Sequence, residues 1–164
     1  MLQALHHAPF TTVSLVQAKA FGAGADMVCS CHIRIAEPNS VFCMPGLNFG
    51  ILLGTRRLTQ RVGIDNALSI LTNTRVFDSE EALKMGFLTH VSEKNDWAKH
   101  IEAAKKAGAA LPHSDVRRMF KVVIPDTRAE DMADLKESVN KEGLIKRIVS
   151  YRESLRRRSS KKLN

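Results

Sequence analysis

Two hydrophobic periods run along this chain, and the switch between them falls near Gly54. Before it, short apolar runs are bounded by glycine, proline and small polar residues. Leu2 to His7 reads as the end of a helix stopped by Pro9, and Thr11-Thr12-Val13-Ser14-Leu15-Val16 as a buried strand rich in β-branched residues. Ala20-Phe21-Gly22-Ala23-Gly24-Ala25 follows, where small residues let the backbone turn tightly, and Asp26 to Cys31 continues as an apolar helix. Ile33 to Ala36 and Ser40 to Met44 predict two more strands, with Pro45-Gly46 as the break after the second. Strand, glycine turn, helix and strand in this order have βαβ proportions.

Beyond Gly54 the apolar residues recur at helical intervals. Leu58, Val62, Ala67, Leu68 and Leu71 predict one helix, and Asp78-Ser79-Glu80-Glu81 opens a shorter one that Gly86 closes. Phe87-Leu88-Thr89-His90-Val91 predicts a last strand. Everything after Lys94 is helical in pattern: Trp97, Ile101 and Ala104 share one face, Val116 to Ile124 forms a second segment, and Asp131 to Arg158 one or two more. Residues 1–94 therefore read as an α/β core, 95–158 as a helical layer and 159–164 as a disordered basic tail.

The chain has 164 residues, 44% of them apolar and 26% charged, which fits one globular core and excludes a disordered chain or a membrane bundle. The longest uncharged stretch, Pro38 to Thr55, holds two prolines and three glycines and does not make a spanning helix. The net charge of +8 lies largely in residues 152–164, which contribute +5 and leave +3 for the rest. That run reads as a solvated helix end or as an attraction for phosphate-bearing partners such as RNA, but no Phe or Tyr is interleaved with it to stack bases. Nucleic acid is thus not the expected partner. Three cysteines, Cys29, Cys31 and Cys43, with no basic, apolar leader at the N-terminus, predict reduced thiols and a cytoplasmic location. The six histidines share no ligand-like spacing, so no metal site is expected. Met27, Met44 and Met119 read as core filler, and Arg56, Arg57 and Arg61 as salt-bridging residues on a helix surface, with a phosphate contact as the alternative.

Candidate chemistry gathers at Ala20 to Gly24 with Asp26. Consecutive backbone N–H groups at a glycine-rich helix N-terminus attract negative charge. The carboxylate that follows would repel a phosphate, yet it suits proton transfer beside a carbonyl whose developing oxyanion rests on those amides. The competing structural reading is that Asp26 only favours the first helical turn, an effect of about 0.3–1 kcal/mol.

These segments together resemble the enoyl-CoA hydratase/isomerase, or crotonase, family. Val16-Gln-Ala-Lys-Ala-Phe-Gly-Ala-Gly-Ala-Asp26 is similar to its strand and oxyanion turn, Cys31-His-Ile-Arg-Ile-Ala36 to its Cys-Asp-x-Arg-x-Ala segment, and Val41-Phe-Cys-Met-Pro-Gly-Leu-Asn-Phe-Gly50 to its Phe-x-x-Pro-Glu segment. Gly54 to Gly63 and Ala82 to Val91 continue the likeness, which loosens towards Tyr151. The resemblance implies a partial ββα spiral core followed by a helical layer used for trimer or hexamer contacts. It implies binding of acyl-CoA thioesters, with CoA entering as part of the substrate and no separate cofactor. The Ala23 N–H becomes an oxyanion donor and Asp26 an acid/base, with Gly22, Gly24, Met44, Pro45 and Leu53 against the substrate.

Three departures from the family pattern bear on the reaction. The second hydratase carboxylate is absent, since Pro45 is followed by Gly46. Ile51-Leu52-Leu53 stands where the family has a longer turn, and the other carboxylate of dienoyl-CoA isomerases falls at Gly54, beside a polar but non-titrating Asn48. Family members are also longer on the N-terminal side, where they carry further strands and the other oxyanion donor. The expectation is therefore isomerase-like rather than hydratase chemistry, with an inactive remnant or fragment that binds acyl-CoA or assembles as the alternative.

Overall fold

A computed structural model describes residues 1–160, with side chains to Arg157. The element order is α1 (Leu2–His6), β1 (Val13–Val16), β2 (Lys19–Phe21), α2 (Ala23–Ser30), β3 (Ile33–Ala36) and β4 (Val41–Cys43), then a 3-10 turn (Gly46–Phe49) and α3 (Thr55–Asn73). β5 (Phe77–Asp78), α4 (Ser79–Lys84) and β6 (His90–Val91) complete the α/β part, and α5 (Trp97–Ala109), α6 (His113–Val123), α7 (Arg128–Asn140) and α8 (Leu144–Ser160) form the helical layer.

Two ββα units stack here as successive turns of a coil. β1, β2 and α2 make the first; β3, β4 and α3 make the second. The first strand of each unit lies in one sheet and the second strand in the other: β1 pairs parallel with β3 from Val13↔Ile33 to Val16↔Ala36, and β2 parallel with β4 from Lys19↔Val41 to Phe21↔Cys43. β6 joins the first sheet parallel to β3, and β5 joins the second antiparallel to β4. The chain changes sheet between β1 and β2 at Ala18, whose φ of 57° is left-handed.

The core forms where α2, α3 and both sheets meet. Phe42, Phe77 and Phe87, each at most 1% exposed, pack with ring centroids 5.0–5.5 Å apart. Arg34 is buried too, and its guanidinium donates to the carbonyls of Phe87, Gly86, Cys31 and His32. Each bond satisfies a backbone oxygen that would otherwise be costly to bury.

Several expectations meet a different arrangement. The periodic segment expected as one helix is α3, which breaks at Gly63 (φ 77°, ψ 169°). The break slips the helix phase between Val62 and Ala67, so Leu68 is left 56% exposed while Ile70 and Leu71 turn inward. Only His90 and Val91 of the expected last strand join a ladder, because Arg34 and the carbonyl of Ala82 hold Phe87 and Leu88 instead. Met44 is in the core, but Met27 and Met119 are exposed. Asp78 caps α4 as its sequence suggests, accepting from Glu81 N at 2.9 Å. The basic tail expected at 159–164 lies outside the described residues from position 161 onward, and its first two residues continue the α8 backbone.

Candidate active site

Gly22 turns the chain from β2 into α2 with φ 57° and ψ −124°, a conformation open to glycine and strained for other residues. Its own N–H donates to the Cys43 carbonyl at 2.8 Å, and Asp26 N returns to the Gly22 carbonyl at 3.0 Å. The next two amides, of Ala23 and Gly24, have no hydrogen-bond partner among the described residues. They lie at the positive end of the α2 dipole.

Gly22, Ala23, Asp26, Met44, Leu53 and Gly54 line a cavity of about 220 Å3, and apolar residues such as Leu71 and Phe49 complete its wall. Of the residues singled out from sequence, Gly22, Ala23, Asp26, Met44 and Leu53 are brought together in this wall. Gly24 lies one residue further along α2 and Pro45 is buried behind Gly46; neither faces the cavity. Asn48 is exposed, with its side-chain oxygen accepting from Thr74 Oγ1 at 3.0 Å.

Asp26 is the charged residue in this wall. The residue is 6% exposed, and its Oδ1 is buried without a partner. Burial raises its pKa from 3.8 to about 6, against the opposing pull of the Arg57 guanidinium. A group titrating there is poised to both accept and return a proton near neutrality.

Two glycines decide that this acid stands alone. A Cβ at Gly54 would lie 1.8 Å from Asp26 Oδ1, so the carboxyl occupies the space a side chain at 54 would need. A Cβ at Gly46 would meet the Ile51 carbonyl oxygen at 2.8 Å, and Ile51 N in turn donates to the Gly46 carbonyl at 2.9 Å. The short 51–53 connection folds back onto Gly46 and occupies the position from which a second carboxylate would project.

The helical layer holds this wall in place. Arg57, expected at the surface, is 2% exposed: Nη1 donates to Asp131 Oδ2 on α7 at 2.8 Å and Nη2 to the Leu53 carbonyl at 2.8 Å. Arg56 also pairs with Asp131 and with Asp134, while Arg61 donates to the Cys29 and Cys31 carbonyls. Leu52 N donates to Ser138 Oγ on α7 at 3.3 Å, and Arg147 Nε on α8 donates to the Phe49 carbonyl at 2.9 Å. Asp131, Ser138 and Arg147 escaped the sequence reading, since each works through a contact 74 or more residues distant. No local pattern signals such a pair.

The cysteines are free and buried, and burial pushes the Cys29 thiol up to about 12, too high to act as a nucleophile. Among the described residues no group of three or more His, Cys, Asp or Glu side chains is placed to hold a metal ion, and no helix is long and apolar enough to cross a membrane.

Known proteins share this fold. A crystal structure of an enoyl-CoA hydratase/isomerase-type protein from Bordetella parapertussis superposes with a TM-score of 0.90 at 38% identity, over 92% of this chain and 63% of that one. An enoyl-CoA hydratase from Bacillus halodurans shares the fold at 21% identity, with a TM-score of 0.75 over 91% of this chain and 64% of its own. Among curated proteins, the peroxisomal bifunctional enzyme of Danio rerio is 34% identical over 110 residues, which is 65% of this chain and 15% of that protein. The ethylmalonyl-CoA decarboxylase of Homo sapiens is 33% identical over 101 residues, 60% of this chain and 33% of its own length. The chain thus spans a third or less of these two curated relatives. The Enoyl-CoA hydratase/isomerase family model matches residues 1–157. With the paired ββα units, the glycine turn and this match in agreement, the chain belongs to the enoyl-CoA hydratase/isomerase family.

Proposed function

We propose that this chain carries an acyl-CoA isomerase-type site that works with one acid. The thioester carbonyl oxygen lies against the Ala23 N–H, the first unpaired amide of α2, where an oxyanion is stabilised by the amide and by the helix dipole. Asp26, ionised, removes a proton from C2 of a 3-enoyl thioester; the electron pair enters a dienolate whose negative oxygen rests on that amide. Protonated Asp26 then delivers the same proton to C4, the double bond moves to C2, and the carboxylate is restored. Atoms and charge balance without a separate cofactor, and CoA enters as part of the substrate.

One observation carries this reading: Asp26 lines the cavity, with Gly54 and Gly46 both held in positions that exclude a second acid. Adding water across a double bond calls for one group to activate water and another to handle the second proton. A proton shuttled between two carbons calls for one. The same single acid also suits protonation of an enolate left by loss of CO2, the kind of reaction for which the ethylmalonyl-CoA decarboxylases are named.

Assembly as a trimer or hexamer through the helical layer belongs to the same proposal. Its support is the apolar surface on α6 and α8, where Val122, Val123 and Ile145 are 78%, 69% and 78% exposed. Three buried free thiols suit a reducing compartment such as the cytoplasm.

The test is conversion of a 3-enoyl-CoA to its conjugated 2-enoyl isomer, followed by thioester absorbance, beside hydration of a 2-enoyl-CoA. The expected result is isomerisation without hydration, lost in Asp26→Asn. Hydration faster than isomerisation overturns the single-acid reading. Saturable acyl-CoA binding with no turnover in either assay would favour the non-catalytic binding module instead.

A further inference from the structure

A second recess, with a volume of about 640 Å3, lies at the far end of α2 from Ala23. Phe120 in its wall stacks on His32 with ring centroids 4.4 Å apart, and His32 directly follows the C-cap of α2. α2 itself, eight residues and about 12 Å long, runs from Ala23 to just before His32. The two cavities share no lining residue.

The wall combines an apolar strip with unpaired positive charge. Pro9, Phe120 and Ile124 supply the strip. Arg117 and Lys121 stand one turn apart on the same face of α6, and neither has an acidic partner among the described residues. Like charges at that spacing repel mildly unless an anion sits between them. Arg128 is spoken for: its Nε and Nη2 donate to Asp126 Oδ1 and Oδ2 at 2.7 and 2.6 Å, so Asp126 is neutralised within the wall. Two positive charges remain. His7 also lines the recess, with its Nε2 turned away from the open space and buried.

The geometry points to a second binding site on this chain, for a small organic phosphate whose oxygens meet Arg117 and Lys121 while its apolar part lies on Phe120, Pro9 and Ile124. Two cations match a dianionic phosphate better than a single carboxylate. The volume falls in the range of small-molecule sites, and the apolar strip gives the remainder of the ligand a surface to cover.

Calorimetric titration of the full chain at low salt with phenyl phosphate, inorganic phosphate and phenol tests this directly. The expected result is saturable binding of phenyl phosphate, weaker binding of inorganic phosphate and none of phenol. Exchanging both cations, Arg117→Gln with Lys121→Gln, should weaken phenyl phosphate by about tenfold or more, while Lys136→Gln on α7 leaves it unchanged. Arg117 and Lys121 are exposed, so the fold should survive, and shifts of the His7 ring resonances in the unaltered protein give a second readout. Three results overturn the site: no saturation with either phosphate, phenol binding as well as phenyl phosphate, or binding that persists in the doubly substituted chain. The last would move the anion elsewhere, for instance to the unpaired amides of α2.

Discussion

Replacing Asp26 with Asn should make this protein more stable at neutral pH and leave it unchanged or less stable in acid. The unfolded chain ionises this carboxyl at its ordinary 3.8, whereas the folded chain holds the proton until about 6. As pH rises through that window the unfolded state gains more from ionisation than the folded state does, so wild-type stability falls. Above about 6 the deficit is complete, and the displacement corresponds to about 3 kcal/mol. The Asp26→Asn variant carries no such deficit. It does bring an amide facing Gly54 with no obvious partner, but that cost is the same at every pH. The clean quantity is therefore the change in the melting difference between variant and wild type, from about pH 4 to about pH 8, which should be roughly 6–12 °C in favour of the variant. Other titrating groups are common to both proteins and cancel. A melting difference that stays flat across this range would refute the burial and isolation assigned to Asp26.

Gly54→Ala should abolish turnover and cost about 1–3 kcal/mol in thermal denaturation, because its methyl group would overlap the Asp26 carboxyl. Arg57→Met should destabilise by about 3–5 kcal/mol by leaving Asp131 buried without its closest partner, and pairing it with Asp131→Leu should recover much of the loss in a denaturant melt. His6, 2% exposed with both ring nitrogens unpartnered, has its pKa lowered to about 4, chiefly by burial. Its contribution is intact above the ordinary value of 6.5 and is lost as pH falls towards 4. A His6→Phe variant should accordingly melt with a shallower pH dependence in that window than the unaltered chain.

The elements read most directly from sequence are those whose signals are local. Pro9 stops α1, the β-branched run at Val13–Val16 forms β1, Asp78 caps α4, and the 3.6-residue period marks the helical layer. β2 escaped because Lys19-Ala20-Phe21 carries no strand signature of its own. Its extended form follows from pairing with β4, a partner twenty-two residues downstream. Arg57 was misjudged for a related reason: a cation belongs on the surface unless an anion is buried with it, and that anion sits on α7. At the candidate site, the glycine turn and Asp26 stand out as residue types, and the absence of a carboxylate at 46 is visible in the letters. What the letters do not carry is the reason. Gly46 is pressed against the Ile51 carbonyl and Gly54 against Asp26, so both positions are closed by through-space contacts.

The central claim is that Asp26 and the Ala23 amide together form and discharge a thioester enolate. The most direct measurement follows exchange of the C2 protons of a saturated acyl-CoA with deuterium from solvent, by proton NMR, in the presence of the full chain. Loss of the C2 signal is expected with the unaltered protein and retention of it with Asp26→Asn. Exchange at equal rates with both proteins would contradict the claim, and so would a C2 signal that persists in the presence of the unaltered chain.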